Sequence, residues 1–394
     1  MSLARRNFRL LLAFDVVLYS PLYWPYMFHL VCTLRGLSAL EFGALKSIYY
    51  GSVILLELPG GIVADRFGRR FALIGCAAFN ALGCFGYVLG DDFWSFAVAE
   101  LALAVSTALL SGADSALLYD SLLAEGQESR YAQAEGRIRT ACFLAFAVTM
   151  VASDLWLIPS GGPALTYGVT GALSLLGVAA AAALRDPPRA TADSARSVAL
   201  GAMREALARP RVLPILAYGS GLYVLMRAAN SLLFDPVLSA QHLPIDRFGS
   251  VTIGIALTGA VAAHYTARWL ARGERVLLAA LPALALVTYA GLAWARGPWV
   301  VAAMSLLGPL NSVLSIVTPV ALNREIASSS HRATVLSLQS VAWRGSYALI
   351  APIIGWTLDA FSLRTAVLAM AVLGALPMCA AWWLVARRSR APSQ

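Results

Sequence analysis

The sequence predicts an all-α membrane protein of twelve transmembrane helices arranged as two pseudo-symmetric six-helix bundles. Composition, the placement of arginine and a faint internal repeat predict it. Of 394 residues, 59% are hydrophobic and only 13% charged. A soluble domain carries about 25% charged residues. Water cannot solvate so apolar a chain, so lipid must. A helix needs about 20 apolar residues to cross the hydrocarbon core. Twelve such segments with short loops use nearly the whole chain and leave no room for a soluble catalytic domain.

The predicted spans are 10–32, 41–63, 71–90, 94–118, 138–157, 163–184, 212–236, 247–268, 275–295, 298–321, 333–356 and 363–386. Turn signals such as Gly90-Asp91-Asp92 and Arg296-Gly297-Pro298 separate them. Met1–Arg9 is basic and precedes an apolar run, as in a signal peptide. That run is long, carries Asp15 and lacks a small-x-small cleavage site, so it reads as a retained helix.

The 30 basic residues are all arginine except Lys46. Counted by alternate loops, 23 fall on one side. Four (Arg35, Arg247, Arg296 and Arg364) fall on the other, and three (Lys46, Arg227 and Arg344) lie inside spans. The positive-inside rule then puts both termini in the cytoplasm of a multi-pass protein of the bacterial inner (cytoplasmic) membrane. The same asymmetry explains the net charge of +9 without nucleic acid as a partner. Cys32, Cys76, Cys84, Cys142 and Cys379 lie in apolar runs, are odd in number and form no CxxC. That disfavours a disulfide framework or a zinc site, and no cofactor is expected.

The longest connection, 185–211, contains Asp186-Pro187-Pro188 and a candidate amphipathic helix over 194–209. It separates an N-terminal bundle, 1–184, from a C-terminal one, 212–394. Across this divide Leu37-Ser38-Ala39-Leu40-Glu41-Phe42-Gly43 has a faint copy in Leu243-Pro244-Ile245-Asp246-Arg247-Phe248-Gly249, and Arg66 and Arg69 match Arg272 and Arg275. Duplicated halves are a common plan for secondary transporters.

Polar residues inside spans cost free energy unless they face protein or water. At about 100° per residue, Asp15, Tyr19, Tyr23, Tyr26 and His29 share roughly 120° of the first span. Glu100, Thr107, Ser111 and Asp114 share about 60° of the fourth. Tyr223, Arg227, Asn230 and Phe234 do so on the seventh, and Asn311, Ser315 and Thr318 on the tenth. Ser337, Ser340, Arg344 and Tyr347 cluster on the eleventh, and Lys46, Tyr50 and Glu57 on the second. Asp15 and Arg227 read as substrate or coupling residues, or as a salt bridge that only closes a cavity. Arg344 could bind an anionic group or pair structurally. Glu100 could carry a coupling proton or sit at a solvated rim. Lys46 with Glu57 reads as a structural pair.

The loop after the second span reads Gly61-Ile62-Val63-Ala64-Asp65-Arg66-Phe67-Gly68-Arg69-Arg70. It resembles the GxxxDRxGRR signature of the major facilitator superfamily. Gly61 and Gly68 would allow a tight turn and close helix approach. Asp65 would accept from a helix N-terminus or pair with an arginine. Glu57-Leu58-Pro59-Gly60-Gly61, Ser111–Asp120 and Arg332–Ser337 are similar to efflux-type members. The fifth span lacks the GPxxGG pattern of drug/proton antiporters, and the fourth carries Glu100 rather than an intramembrane arginine.

The resemblance implies the major facilitator fold, rocking in alternating access around a cavity lined by spans one, four, seven and ten. The candidate cavity set is Asp15, Tyr19, Tyr23, Tyr26, Glu100, Arg227, Asn230, Asn311 and Arg344. The resemblance also implies a cytoplasmic gate of Glu57, Gly61, Asp65, Arg66, Gly68, Arg69, Asp114 and Asp120. The expected function is secondary transport of a small zwitterionic or anionic organic solute by a monomer in the lipid bilayer, with proton-coupled export as the principal reading. An uncoupled facilitator, an uptake symporter and a non-transporting receptor or scaffold are the alternatives. The four histidines are scattered and no HExxH, GxSxG or Walker loop occurs, which disfavours an enzyme or an ATP-driven pump.

Overall fold

The computed structural model describes residues 2–187, 209, 212–325 and 329–388. The predicted amphipathic segment 194–209 lies outside them except for Arg209. The described residues are helical, with no strand among them. In chain order the α-helices are α1 Leu3–Leu18, α2 Ala39–Phe67, α3 Arg69–Leu89, α4 Phe93–Leu110, α5 Ala113–Leu123, α6 Tyr131–Ala152 and α7 Ile158–Ala183. They continue with α8 Val212–Ser231, α9 Phe234–Ser239, α10 Phe248–Arg272, α11 Glu274–Trp294, α12 Pro298–Ser305, α13 Leu307–Glu325, α14 Ser329–Ala360 and α15 Leu363–Arg388. Helices fall on every predicted span. Eight helical stretches among the described residues are long and apolar enough to cross a membrane. One of these, Glu128–Ala183, runs 56 residues. At 1.5 Å per residue that is about 84 Å, far beyond one crossing. The break lies at Gly162, whose φ of 66° and ψ of −166° leave the helical region.

Large apolar side chains point outward along these helices. Leu55, Leu89, Trp94 and Leu349 are 74–79% exposed. In water such a surface would aggregate; against acyl chains it costs nothing.

Two compact units divide the chain. Unit 1 comprises Met1–Leu37, Leu45–Thr191 and Ile245–Gly249; unit 2 comprises Ser38–Ala44, Ala192–Pro244 and Ser250–Gln394. The core of unit 1 gathers Leu11 and Phe14 of α1, Leu73 and Cys76 of α3, Leu117 of α5, Ile138 of α6 and Ala181 of α7. Small residues let its helices approach: a Cβ on Gly83 or Gly86 of α3 would meet Leu103 or Ala99 of α4 within 3 Å. Asp92 caps α4, its carboxylate accepting from the Ser95 N–H at 2.8 Å. That bond holds its carboxyl below the usual carboxylate range.

The first span departs from a single helix. α1 ends at Leu18, a 3₁₀ turn covers Trp24–Tyr26 and a π-helix covers His29–Leu34. Pro21 and Pro25 lack the N–H that a continuous α-helix needs here. The 100° spacing therefore holds through Tyr19 and fails for Tyr23, Tyr26 and His29. The fourth span also breaks. Gly112, in the left-handed region at φ 75°, separates α4 from α5.

Unit 2 is built around α8, where Leu222, Ala228 and Ala229 are fully buried. Tyr218 and Tyr289 donate to the Leu278 and Leu225 carbonyls at 2.6 and 2.7 Å. The repeat acquires a physical basis unit by unit. A Cβ on Gly43 would collide with the Ala351 carbonyl in unit 2, and one on Gly249 with the Met150 carbonyl in unit 1. Asp359 accepts from the Ala39 and Leu40 N–H groups at 3.0 and 2.8 Å, capping α2. Asp154 accepts from the Gly249 N–H at 2.8 Å at the start of α10. Each copy thus pairs a close-packed glycine with a carboxylate on the positive end of a helix, an interaction of about 0.5–2 kcal/mol.

The signature loop separates its two glycines physically. Gly68 opens α3 at φ 112°, a conformation that side chains resist. Gly61 is helical, with open space where a Cβ would stand; the tight approach falls instead on Gly60, whose Cβ would meet the Ala108 carbonyl. Gly68→Ala should therefore cost about 1–2 kcal/mol of stability. Gly61→Ala should be neutral or stabilising by up to about 1 kcal/mol. Thermal unfolding of both variants in detergent checks the contrast, and equal melting shifts would contradict it.

Candidate functional site

Two clusters in unit 1 hold most of the charged cavity candidates of that unit. The first surrounds Arg139 of α6. Its Nη2 donates to Asp114 Oδ2 of α5 at 3.1 Å and to Ser115 Oγ at 3.1 Å, and its Nε donates to Glu135 Oε1 at 2.9 Å. The Tyr19 hydroxyl donates to the same Asp114 oxygen at 3.1 Å, and the guanidinium lies 4.7 Å from the Tyr19 ring centroid. Asp15, one turn before Tyr19 on α1, is 2% exposed and feels the charges of Asp114, Arg139 and Glu135. Its Oδ1 is buried and accepts no hydrogen bond among the described residues. Two carboxylates thus pair with one guanidinium beside the Gly112 break, and a third, Asp15, is buried within reach of their charges. Broken helices in transporters commonly frame ion and substrate sites, since their free termini supply partial charges.

The second cluster is balanced. Lys46 Nζ of α2 meets Glu100 Oε1 of α4 at 2.5 Å, with side chains 5% and 2% exposed. The Tyr87 hydroxyl donates to the same oxygen at 2.5 Å. Tyr87 stacks on Tyr167 at 4.5 Å, and Tyr167 on Tyr23 at 4.2 Å. Glu100 is therefore no solvated rim residue. Nor is Glu57 the partner of Lys46 in this pair: Glu57 accepts from Ser111 at 3.3 Å.

Tyr26 belongs elsewhere. It is fully buried and donates to Asp154 Oδ1 at 2.7 Å, beside the Gly249 cap. In unit 2, the Arg227 guanidinium lies 5.3 Å from the Tyr223 ring, which stacks on Trp343 at 5.4 Å. Arg344 follows Trp343 on α14. Asn230 turns back on its own helix, donating to the Met226 carbonyl at 2.8 Å. Asn311 is exposed on α13.

Among the gate candidates, Arg69 pairs with Asp120 and donates to the Ala116 carbonyl, tying α3 to α5. Asp65 and Arg66 are exposed at the end of α2, with the Arg66 guanidinium 5.6 Å from the Phe67 ring. Asp114 accepts from Tyr19 and Arg139.

Sequence reasoning missed Arg139, Glu135, Tyr87, Tyr167 and Asp154. Arg139 was counted only as a loop charge. Its i,i+4 spacing from Glu135 at the mouth of the fifth span was the available signal. Asp154 lies inside the predicted span 138–157 and was equally visible as an intramembrane acid. Tyr87 and Tyr167 carry no signal that separates them from packing aromatics.

Removing one member of a buried ion pair strands the other, at about 3–5 kcal/mol. Lys46→Met should accordingly lower the melting temperature sharply. The double variant Lys46→Met/Glu100→Gln should recover most of the loss, because Gln still accepts from Tyr87. Equal unfolding of the single and double variants in detergent would show that the pair is not the cause.

Comparisons with known proteins agree with this architecture. The nucleoside transporter NupG superimposes with a TM-score of 0.83 at 14% identity, covering 98% of this chain and 99% of that one. A bacterial homolog of the human lysosomal transporter Spinster, inward-facing and unoccupied, gives 0.74 at 14% identity, with 98% and 99% covered. The POT family transporter PepTSo gives 0.75 at 11% identity, with 98% and 99% covered. At these identities the likeness concerns the fold. No curated protein matches by sequence. The sequence profile of the Major Facilitator Superfamily matches residues 9–320. That match covers well over half of the chain, which thus belongs to the major facilitator superfamily, whose members move small solutes across membranes by alternating access.

Proposed function

We propose that this chain is a proton-coupled exporter of a small zwitterionic or anionic organic solute, working as a monomer in the bacterial inner membrane with both termini cytoplasmic. The observation that carries the coupling is the surplus of carboxylates around Arg139. With Asp15, Asp114 and Glu135 all ionised, the cluster holds two negative charges more than positive ones, and Asp15 and Asp114 are each 2% exposed. Like charges at close range in a low dielectric repel strongly. A proton on Asp15 relieves that repulsion, and its departure restores it. Proton binding therefore shifts the free energy of any state in which the cluster is closed. Such a differential effect is what coupling requires.

Arg227 and Arg344 supply the cationic groups suited to an anionic moiety, and the Tyr223–Trp343 stack offers a planar apolar surface beside Arg227. The arginine-rich loop pattern supports the orientation. Export rests on the stretches similar to efflux-type members, Glu57–Gly61, Ser111–Asp120 and Arg332–Ser337. The fold shared with a nucleoside transporter and a POT family transporter makes nucleosides, amino acids and short peptides sensible probes alongside organic acids.

A thermal-shift screen of such compounds identifies a ligand. In proteoliposomes loaded with it, an imposed proton gradient should drive transport by the wild type. Asp15→Asn should lose gradient-driven transport while retaining solute exchange at zero gradient. Wild-type acceleration by the gradient in Asp15→Asn would refute the coupling assignment. Arg227→Gln should weaken solute binding by about tenfold or more, the loss of one charge-assisted hydrogen bond. Unchanged affinity would remove Arg227 from the binding surface.

A further inference from the structure

Unit 2 carries a seam of side chains that the solute site proposed at Arg227 uses only in part. Gly219, Tyr223 and Arg227 recur at i, i+4 and i+8, so they share one face of α8. Gln339 and Trp343 do so on α14 at i and i+4. The two stripes meet. The Trp343 indole stacks on the Tyr223 ring at 5.4 Å, and a Cβ on Gly219 would lie 2.6 Å from its Nε1, so any side chain at 219 would displace the indole. Leu338 and Ala342, each one residue before the α14 pair, pack with Ile215 and Leu216 of α8 and with Ala321 and Leu322 of α13. Thr318 stands one turn before Leu322 on α13, at the third side of the seam.

Packing fixes these groups without satisfying them. Trp343 Nε1, Gln339 Oε1 and Thr318 Oγ1 are buried and have no hydrogen-bond partner among the described residues. Gln339 is 5% exposed and Thr318 1%, so bulk water does not serve them. A helical threonine ordinarily bonds to the carbonyl four residues back, as Thr258 and Thr266 do; Thr318 does not. Buried polar atoms are paired in the great majority of native folds, so each orphan calls for a reason. An indole N–H only donates and an amide oxygen only accepts. The complement of the two is a group that offers an acceptor and a donor side by side, which a secondary amide does.

We propose that Trp343 and Gln339 recognise an amide group of the solute, the indole N–H donating to its C=O and Gln339 Oε1 accepting from its N–H. The Thr318 hydroxyl can serve either end. The solute class is then a small carboxylate bearing a secondary amide. This assignment rests on the anion site proposed at Arg227, whose guanidinium lies 5.3 Å from the Tyr223 ring, and adds a chemical class to it. The three orphan atoms are closed off in this structure, so they gain partners as the seam parts around a solute. A molecule that satisfies them favours the parted arrangement over this one, and that difference is what lets binding drive a step of the cycle.

Purified full-length protein is titrated at one fixed pH, by thermal shift, with three probes. They are N-acetylalanine, its counterpart 2-acetoxypropanoate, in which oxygen replaces the N–H, and the uncharged methyl ester of N-acetylalanine. N-acetylalanine should bind about tenfold or more tightly than 2-acetoxypropanoate, the discrimination of one hydrogen bond to a buried acceptor. Gln339→Met should bring the two affinities within about twofold of each other; Gln339→Leu serves if that variant does not fold. Trp343→Phe keeps a ring in the stack and should weaken both about tenfold with their ratio preserved, since both carry the C=O. Equal wild-type affinities for the two acids, no measurable binding of either amide, or an undiminished preference in Gln339→Met overturns the assignment. If the methyl ester binds as tightly as N-acetylalanine and loses affinity in Gln339→Met, the amide site stands and the anionic reading at Arg227 fails.

Discussion

Hydrocarbon offers no hydrogen bond and almost no dielectric screening, so each ionised group placed in these helices must find its solvation within the protein. Unit 1 meets this demand in two contrasting ways. Lys46 and Glu100 cancel each other, with Tyr87 donating to the same Glu100 oxygen and a stack of three tyrosines beside it. Around Arg139 the demand is met only in part: one guanidinium pairs with two acids, and an oxygen of a third, the buried Asp15, has no donor among the described residues. A satisfied pair stabilises one structure; an unsatisfied cluster has something to gain from a proton or from movement. In the function proposed above, that difference gives packing to the first and coupling to the second.

The breaks in the helices serve the same economy of polar groups. Gly112 interrupts the fourth span directly before Asp114, so the free N–H groups of α5 face the acid's own turn. Pro21 and Pro25 break the first span just after Tyr19. Irregular backbone at membrane depth is tolerated only where protein or a water-lined path satisfies it. Both interruptions adjoin the Arg139 cluster or the tyrosine stack, where partners exist.

The fold was legible because solvent choice is written in composition: the apolar runs, the arginine bias and the half-chain repeat are all one-dimensional signals. Gly43 and Gly249 even stand in the copied stretches at places where a Cβ would strike backbone. The site was legible only where helical spacing survived. Asp15 and Tyr19 were placed on one face and remain there; Tyr26 was placed with them and instead binds Asp154, because the prolines reset the rotation. Pairing was harder still. Lys46 had a same-helix acid in Glu57 and a distant one in Glu100, and spacing along one helix favours the former. Tertiary packing brings the latter to 2.5 Å. Arg139 was hidden by its position at a span boundary, where a basic residue reads as topology.

The signature loop shows how one motif divides its labour. Gly68 supplies a backbone angle that starts α3 at once after α2. Arg69 is then consumed within unit 1, fixed to Asp120 and the Ala116 carbonyl. A side chain so held cannot also act as a movable latch without first breaking a charge-assisted pair. Asp65 and Arg66, by contrast, end α2 in exposed positions. Within the motif, Arg69 thus serves to fix α3 against α5.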